Sequence, residues 1–338
     1  MQIGFSGRAR RARPRRALRP RGRRIIATVA LGLAVMLLAG GAAGVYLYQS
    51  TRTATEHVHH ADLMPDRRSA APAHPVTLDR GKGSTSAPVN LVLMGQDAPR
   101  SAGGRSDTVM LLHLDADRQT AYLISLPRDL YVAIPGLGKN KINAAYAEGG
   151  PQLTVRTVQD LFGITITHAA IVDFRGLIDI TRELGGVTIT NPYAFSSHGY
   201  FYPQGKITLS GRQAMWFVRE RYALPRGDLD RTANNRRVLL AILDKGLSAR
   251  TVSDPARFRA FLSELAASVT VDNGFSATQL HKLALSLRMS GSDIGQLQVP
   301  TSGFASVPGV GSVDVVDQRG LAKLSNALRH DDLGSYHD

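Results

Sequence analysis

Three apolar segments decide the fold of this chain: NLVLMG (90–95), TVMLLHLD (108–115) and TAYLISL (120–126). Each is a short run of core residues bounded by glycine or polar residues, a pattern that predicts a buried strand. Residues 115–119 separate the second run from the third and have the composition of a turn. We therefore expect these two strands to form an antiparallel hairpin within a sheet.

Segments with strand and helix patterns alternate along the rest of the chain. Further strands are predicted at 168–174, 187–190, 294–299 and 312–316. Helices are predicted at 151–162, 175–184, 210–222, 230–247, 255–268, 276–289 and 317–329. Pro151 suits a first helical turn, and Gly185 and Gly186 suit a helix end. This alternation predicts the α/β class, with a mixed central β-sheet covered by helices on both faces.

The region before the first strand has the pattern of a membrane anchor. Residues 25–48 carry no charge, and about 20 apolar residues are enough to cross a bilayer as a helix. Ten arginines and no acidic residue precede this segment, which predicts that the N-terminus is cytoplasmic and the rest of the chain extracytoplasmic. A cleaved signal peptide is the alternative, but its apolar core normally spans only about 7–15 residues. We therefore predict one transmembrane helix before the sheet.

The charge of the chain lies mostly in this N-terminal arm. The formal net charge is +14, but outside residues 1–24 the chain has 31 basic and 27 acidic residues, a net of +4. The arginine run indicates membrane topology and contact with anionic lipid, and no nucleic-acid partner is expected. The chain contains no cysteine, which excludes disulfides and thiolate chemistry.

Composition divides the chain into five parts. We predict a cytoplasmic arm (1–24), a transmembrane signal anchor (25–48), a flexible linker (49–88), an extracytoplasmic domain (89–330) and a C-terminal tail (331–338). The linker is rich in Ala, Pro, Ser, Thr and His, without apolar periodicity. Its histidines, His57, His59 and His60, resemble a metal-binding tract, but an exposed polar linker is the favoured interpretation.

Two aspartates stand at the ends of the first two predicted strands. Asp97 follows the first strand and Asp107 precedes the second, so antiparallel neighbours would bring both to one edge of the sheet. Mg²⁺ typically takes one or two protein carboxylates and completes its shell with water and substrate phosphate. The alternative is that both aspartates cap loop amides, and spacing alone favours that alternative.

Basic residues follow other predicted strands. Arg128 comes after the third strand and Pro127, so it is predicted at the same edge; a salt bridge to Asp129 or a solvated turn is the alternative. Lys141 lies in NKINAAY (140–146), where a lone lysine is usually only solvated. No nucleophile elbow, Walker A loop or zinc-protease motif is present.

The densest basic cluster lies in WFVRERY (216–222) and DLDRTANNRR (228–237). Arg219 and Arg221 are about 200° apart on a regular helix, so either the helix ends near residue 218 or only one of them points at a site. Glu220 is expected to pair with an arginine. Arg231 begins the next helix, whose N-terminus favours anions, and Asn235 lies one turn later. Several arginines with a helix N-terminus predict a polyanion site; a surface ion-pair network is the alternative.

These motifs, in this order, resemble the LytR-CpsA-Psr family of extracytoplasmic cell-wall ligases. The matching stretches are NLVLMGQD, GRSDTVMLLHLD, LISLPRDLYVAIPG, KINAAYAEGG, LGGVTIT, LSGRQAMWFVRERY and DLDRTANNRR. They span residues 90–248, and a weaker likeness continues to about residue 330.

The resemblance implies a phosphotransferase that moves a phosphoglycan from a polyprenyl-diphosphate carrier to a peptidoglycan sugar hydroxyl. It implies Mg²⁺, or another divalent cation such as Mn²⁺, on Asp97 and Asp107, one of which would be the base. It also implies an apolar prenyl pocket under the sheet. Diphosphate would be held by Arg128, Arg219, Arg221 and Arg231, supported by Lys141 and Asn235, with Asp97, Asp107, Arg128 and Arg219 as the catalytic set.

Three positions depart from the family pattern. Pro99 stands where the family often has Arg, Asn235 where it usually has Gln, and Arg182 where it usually has Asp. The first two bear on the contact with substrate. Two other functions stay open: a membrane-anchored regulatory protein, and a protein that binds or hydrolyses polyprenyl diphosphate.

Overall fold

The computed structural model describes Gln49 and residues 58–66, 87–96, 106–288 and 294–337. Apart from Gln49, these residues belong to one unit, Ser50–Asp338. The predicted arm (1–24) and transmembrane segment (25–48) lie outside the described residues. Within the described ranges, none of the helices combines the length and apolar character that a bilayer crossing requires.

The described residues form fifteen strands and eight α-helices. The strands are β1 (His59–Ala61), β2 (Val89–Gln96), β3 (Ser106–Leu114), β4 (Ala121–Leu126), β5 (Leu130–Ile134), β6 (Gly138–Lys141), β7 (His168–Asp173), β8 (Val187–Asn191), β9 (Phe195–Ser197), β10 (Tyr200–Tyr202), β11 (Gly205–Leu209), β12 (Val269–Asp272), β13 (Ile294–Gln298), β14 (Thr301–Val307) and β15 (Gly311–Val316). The helices are α1 (Ile142–Phe162), α2 (Phe174–Glu183), α3 (Gly211–Arg219), α4 (Asp228–Gly246), α5 (Ala249–Val252), α6 (Pro255–Ala267), α7 (Ala277–Ser286) and α8 (Gln318–Arg329).

Seven strands form the central sheet, in the order β1-β12-β7-β2-β3-β4-β13. Strands β2, β3 and β4 are antiparallel neighbours, whereas β7 runs parallel to β2 and β13 runs parallel to β4. The predicted hairpin of the second and third apolar runs is confirmed. The sheet is mixed, as the alternation of patterns predicted.

Helices cover both faces of the sheet because successive strand side chains point to opposite sides. Val92 and Leu111, both fully buried, share one core cluster with residues of α1 and α8. Thr108, on the opposite face of β3, accepts a hydrogen bond from Asn235 of α4. Complete burial of one such aliphatic side chain stabilises the fold by about 1.5–3 kcal/mol.

Two helices differ from their predicted bounds in ways that bear on the later analysis of basic residues. Helix α1 begins at Ile142 and not at Pro151, and it is kinked at Gly150, whose φ of 64° and ψ of −157° are not helical. Pro151 restarts the helix after the kink, which is the position that its missing N–H favours. Helix α3 ends at Arg219, so Arg219 and Arg221 do not share a helix, in agreement with the first of the two predicted alternatives.

The predicted linker and tail both contain ordered structure. Within the predicted linker, β1 pairs with β12 at the sheet edge, and Leu63 is buried in the core. Within the predicted tail, Asp331 accepts a hydrogen bond from the buried His113 side chain at 2.8 Å, and Leu333 is buried. The prediction of a flexible linker is wrong at residues 59–63, and the packed structure continues past residue 330. Short segments that pair with a sheet edge or bury one side chain show no apolar periodicity.

A second, four-stranded sheet has the order β14-β15-β5-β6, and three of its strands were not predicted. Strand β15 runs parallel to β5, with Asp314 paired to Leu130. Because β5 follows β4 almost directly, this sheet adjoins the edge of the central sheet at which β4 ends. Two smaller pairs, β9 with β10 and β8 with β11, lie between α2 and α3 in the chain.

Candidate functional site

One edge of the central sheet gathers the chain positions that were singled out from the sequence. Strands β2 and β7 both end there, and β3 begins there, with Gln96 paired to Ser106 on one side and to Asp173 on the other. The two aspartate-bearing strands are therefore neighbours, as predicted. Asp97 itself lies outside the described residues, and for Asp107 only the backbone is described, so their metal role stays a prediction.

Arg128 lies at the same edge, because β4 pairs antiparallel to β3. Val109 is opposite Leu126, so the register extended by two residues brings position 107 beside position 128. Nε of Arg128 is 3.4 Å from Oδ2 of Asp129 and 3.5 Å from Oδ1 of Asp228. The salt bridge to Asp129 that was the alternative is present, but the guanidinium also points towards the start of α4.

The first turn of α4 provides the second arginine of the site. Nη2 of Arg231 lies 2.6 Å from Oδ1 of Asp228, one turn earlier in the same helix. Gly227 precedes the helix with a positive φ of 53°, which lets the chain turn sharply into it. The carboxylate of Asp228 is thus shared by Arg128 and Arg231, residues that are far apart in the sequence.

Lys141 completes the basic side of this cluster. Its Nζ atom is 2.9 Å from Oδ1 of Asp129, and its backbone ends β6 just before α1 begins. Lys141 is therefore held at the end of a strand and is not the solvated loop residue of the alternative interpretation. Arg128, Lys141 and Arg231 converge on two carboxylates, Asp129 and Asp228.

Asp314 lies behind these groups on β15. Its backbone N–H donates to the carbonyl of Asp129 at 2.9 Å, and its side chain is only 4% exposed. Burial, together with the negative charges of Asp129 and Asp228, raises the pKa of Asp314 to about 6, although Lys141 and Arg128 oppose the shift. Among the described residues, Oδ2 of Asp314 has no hydrogen-bond partner.

Asn235 connects α4 to β3. Its Nδ2 atom donates to Oγ1 of Thr108 at 3.0 Å, and Thr108 is the residue that follows Asp107 in the chain. The other amide atom, Oδ1, is buried without a hydrogen-bond partner among the described residues. A buried acceptor of this kind is normally satisfied, so it marks a position where a ligand or water would bind.

Arg219 and Arg221 have different surroundings from the other two arginines. Arg219 ends α3, lies 5.9 Å from the centre of the Trp216 ring and lines a pocket of about 380 Å³ between α2 and α3. The side chain of Arg221 contacts the hydroxyl of the exposed Tyr222 and lies 4.5 Å from its ring centre.

Among the described residues, no arginine forms an ion pair with Glu220, contrary to expectation. Its Oε1 atom accepts the backbone N–H groups of Arg221, Tyr222 and Ala223 at 2.9, 2.7 and 3.0 Å. Burial would raise the pKa of Glu220, but these bonds and one from Ser197 outweigh burial and lower it. The carboxylate therefore holds the loop that carries Arg221. It does so by accepting backbone N–H groups and not by an ion pair.

Three carboxylates of the site had no predicted role in it. Asp129 was considered only as a partner of Arg128, while Asp228 and Asp314 were not considered. Asp228 stands three residues before Arg231, a spacing that brings two side chains together on a helix, so the signal was present in the sequence. The location of Asp314 in the site depends on the pairing of β15 with β5, two strands whose paired residues are 184 positions apart. No local sequence pattern reveals such a pairing.

The fold and this site together define a class of protein. A mixed α/β sheet presents two arginines, a lysine and a helix N-terminus at one edge, beside two strand ends that carry aspartates. Guanidinium groups and helix N-termini are the standard protein partners of phosphate groups. The class is therefore an α/β protein that gathers cationic side chains and a helix N-terminus at one edge of its central sheet.

The chain belongs to the LytR_cpsA_psr family, whose model matches residues 45–330. It is 30% identical over 299 residues to a polyisoprenyl-teichoic acid–peptidoglycan teichoic acid transferase TagU of Bacillus mycoides (strain KBAB4), covering 88% of this chain and 94% of the relative. It is 34% identical over 264 residues to the protein of the same name from Enterococcus faecalis (strain ATCC 700802 / V583), covering 75% and 84%.

Solved structures show the same fold. The crystal structure of B. subtilis TagV superposes with a TM-score of 0.61 at 28% identity, covering 75% of this chain and 99% of that one. A structure described as TagT bound to LI-WTA superposes with a TM-score of 0.57 at 26% identity, covering 81% and 100%. The predicted family membership is confirmed by these comparisons and by the family model.

Proposed function

We propose that this protein is a phosphotransferase that moves a phosphoglycan from a polyprenyl-diphosphate carrier to a sugar hydroxyl of peptidoglycan. The relatives named above are teichoic acid transferases that act on peptidoglycan. The observation that carries the proposal is the convergence of Arg128, Lys141 and Arg231 on Asp228 and Asp129 at the edge of the sheet. The three cations outnumber the two carboxylates that orient them, so this edge keeps a positive charge for an anionic diphosphate.

The transfer breaks one phosphorus–oxygen bond and forms another. The acceptor hydroxyl oxygen attacks the phosphorus that carries the glycan, and the bond from that phosphorus to the bridging oxygen breaks. Polyprenyl monophosphate leaves, and the hydroxyl proton passes to a base, for which Asp97 or Asp107 is proposed. Such a reaction depends on positioning and charge neutralisation more than on covalent catalysis, so it needs no nucleophile motif.

Each cation has a distinct part in this proposal. Arg128 and Arg231 are oriented by Asp228 and would bind oxygens of the two phosphates, since a guanidinium donates in pairs. Lys141, a point charge held by Asp129, would neutralise the leaving phosphate. Asn235 would reach the substrate through an ordered water, which would donate a hydrogen bond to its Oδ1 atom. Arg219 and Arg221 are proposed to contact the glycan side of the substrate.

We propose a divalent cation at the same edge. Mg²⁺ typically takes one or two carboxylates together with phosphate oxygens, and Gln96, the residue before Asp97, pairs with Ser106, the residue before Asp107. In the described part of the chain, which does not include the side chains of Asp97 and Asp107, no cluster of three or more metal-binding side chains is present. When bound, Mg²⁺ or Mn²⁺ would withdraw charge from the diphosphate.

The prenyl chain is proposed to lie along the face of the sheet opposite the one that Val92 and Leu111 bury against α1 and α8. Leu91 and Leu93 of β2 are only partly buried there, against a small cluster of Ala170, Val271 and Phe275. Incomplete cover over apolar strand residues suits an acyl or prenyl chain. A transmembrane helix over residues 25–48, with the N-terminus in the cytoplasm, would hold this domain at the outer surface, where carrier and peptidoglycan meet.

Product analysis tests the proposal. Purified full-length protein is incubated with a radiolabelled lipid-diphosphate glycan, peptidoglycan and Mg²⁺, and both products are identified. We expect polyprenyl monophosphate and a phosphodiester bond between glycan and peptidoglycan. Release of the glycan phosphate into water without transfer would instead identify a hydrolase. An Asp107→Ala protein that transfers at the wild-type rate would remove the proposed metal role of Asp107 and leave only Asp97 as a candidate base.

A further inference from the structure

Asp314 is a buried carboxylic acid beside the candidate diphosphate site, and the proposed reaction does not use it. It lies on β15, where its backbone pairs with Leu130, two residues after Arg128. Its backbone N–H donates to the carbonyl of Asp129 at 2.9 Å, and the residue is 4% exposed. The strand pairing therefore fixes Asp314 directly behind the segment that carries Arg128 and Asp129.

The charged groups that act on Asp314 belong to the elements that form the diphosphate site. Among the described residues, they are Arg128 and Asp129 before β5, Lys141 at the end of β6 and Asp228 at the start of α4. The neighbouring strand β14 contains no titratable residue, and Asp314 is the only one on β15. The charge of Asp314 is therefore coupled to the same side chains that would hold a diphosphate.

The surroundings of Asp314 favour a bound proton. Burial opposes its ionisation, and Asp129 and Asp228 repel a further negative charge, whereas Lys141 and Arg128 attract it. Among the described residues, Oδ2 of Asp314 has no hydrogen-bond partner. A buried carboxylate normally accepts hydrogen bonds, so this one lacks contacts that would stabilise its charge. The geometry thus agrees with the raised pKa of about 6.

An ionised Asp314 would weaken the binding of a diphosphate. Nζ of Lys141 lies 2.9 Å from Oδ1 of Asp129, and Arg128 approaches both Asp129 and Asp228. One more negative charge behind these cations lowers the positive potential that an incoming phosphate meets. Because Asp314 is buried, salt screens its charge less than it would at the surface. Protonation removes that charge and leaves the cations in place.

We propose that Asp314 sets the charge of the diphosphate site: it takes up a proton when the diphosphate binds and releases it at neutral pH when the site empties. The inference rests on the proposed function, because it concerns the regulation of the same site. By linkage, the affinity for the diphosphate rises as the pH falls, and binding removes a proton from the solvent. The site is therefore loaded more fully in an acidic medium than in a neutral one.

Calorimetry with a ligand that does not itself titrate tests this proposal. Dihexyl diphosphate has one hexyl chain on each phosphate, so both of its remaining acidic groups stay ionised at pH 5.0 and at pH 7.5. The full-length protein in detergent is titrated with it at both pH values and a fixed Mg²⁺ concentration. The test variant is Asp314→Asn, which keeps the size of the side chain and removes its titration. Asp117→Asn, at an exposed position, is the control.

We expect the affinity of the wild type to fall roughly 5- to 50-fold from pH 5.0 to pH 7.5, a size typical of coupled sites. Asp314→Asn should bind at pH 7.5 about as tightly as the wild type binds at pH 5.0, and Asp117→Asn should follow the wild type. A wild-type affinity that is the same at both pH values would overturn the proposal. An Asp314→Asn protein with the pH dependence of the wild type would overturn it as well.

Proton uptake provides a second readout, which needs no variant. Near pH 6.5 the wild type should take up about half a proton for each dihexyl diphosphate bound, because the ligand increases the protonated fraction of Asp314. The uptake is measured as the slope of the apparent binding enthalpy against the ionisation enthalpy of the buffer. A purely structural Asp314 would give no slope. Binding without proton uptake would therefore contradict the proposal even if Asp314→Asn failed to fold.

A transfer assay separates this inference from the proposed function. Wild-type protein that binds dihexyl diphosphate with proton uptake, but transfers no glycan from a lipid-diphosphate donor to peptidoglycan, would refute the proposed function alone. Glycan transfer together with pH-independent binding of dihexyl diphosphate would refute the role of Asp314 alone.

Discussion

Arg231 lies 2.6 Å from the carboxylate of Asp228, one turn earlier in the same helix. The same oxygen is 3.5 Å from Nε of Arg128, which follows a strand of the central sheet. One carboxylate thus orients two guanidinium groups that come from different elements. Their separation is set by the protein before any phosphate binds, and preorganised charges of this kind lower the barrier to phosphoryl transfer.

Removal of this shared carboxylate should disturb catalysis more than folding. In Asp228→Asn, Arg128 and Arg231 lose their common anchor and repel each other, so both shift from their positions. We expect transfer to fall about 100-fold, the cost typical of a displaced catalytic group, with the melting temperature nearly unchanged. The exposed Asp117→Asn is the matched control. A wild-type rate in Asp228→Asn would show that the anchor has no role.

Replacement of Arg128 by lysine tests whether the paired donors matter. Lysine keeps the charge but cannot donate two parallel hydrogen bonds, so Arg128→Lys should lower transfer about tenfold to a thousandfold, as loss of one charge-stabilising donor does elsewhere. Steady-state rates with the lipid-diphosphate donor measure the effect, and Arg319→Lys is the control. If Arg128→Lys and the control gave equal rates, a simple positive charge would be sufficient at this position.

Asp314 should make the free protein less stable as the pH rises from about 4 to about 6. Its pKa is raised from 3.8 to about 6 by burial and by the nearby aspartates, so in this window the folded state keeps a proton that the unfolded state loses. Above pH 6 Asp314 is ionised in the folded state, and the free-energy cost of that buried charge is fully present. Asp314→Asn should therefore raise the melting temperature at pH 7.5 and change it little at pH 3.5. If the melting temperature of Asp314→Asn differed from that of the wild type by the same amount at both pH values, the raised pKa of Asp314 would be contradicted.

Arg236 is predicted to stabilise the fold and not to bind substrate. It is buried, and it donates to Oε1 of Gln296 at 3.1 Å, to the carbonyl of Leu297 at 3.0 Å and to Ser125. Burial, and then the charge of Arg237, lowers its pKa to about 10, so it stays charged at neutral pH. Arg236→Ala should reduce the free energy of unfolding by about 2–4 kcal/mol, because it leaves buried acceptors unsatisfied and opens a cavity.

Chemical denaturation measures this loss. The exposed Arg259→Ala provides the comparison and should change the free energy of unfolding by less than about 0.5 kcal/mol. Equal unfolding midpoints for the two variants would show that the contacts of Arg236 contribute nothing.

Much of the central sheet was predictable, because its strands are continuous apolar runs. The hairpin of β3 and β4 and the position of β2 follow from such runs, and they place Arg128 next to the start of β3. Strands β1, β5 and β6 were missed, since each is short or partly exposed and gains stability only from its neighbours. Lys141 was therefore placed in a loop, although it ends β6.

Contacts of the site were predictable where both interacting residues lie in one short segment. They were not predictable where the two residues come from strands that are distant in the sequence. Arg231 and its surroundings follow from the start of a helix, which the sequence pattern marks clearly. The environment of Asp314 depends on the pairing of β15 with β5, so its raised pKa had no local signal.

The affinity for a diphosphate tests the central claim most directly. Titration calorimetry would compare a polyprenyl diphosphate with the matching monophosphate on the full-length protein in detergent, with and without Mg²⁺. We predict that the wild type binds the diphosphate at least tenfold more tightly, and that Arg128→Gln/Arg231→Gln loses this preference, while Arg259→Gln/Arg319→Gln keeps it. Equal affinity of the wild type for both lipids, or an unchanged preference in Arg128→Gln/Arg231→Gln, would contradict the assignment of this edge as the diphosphate site.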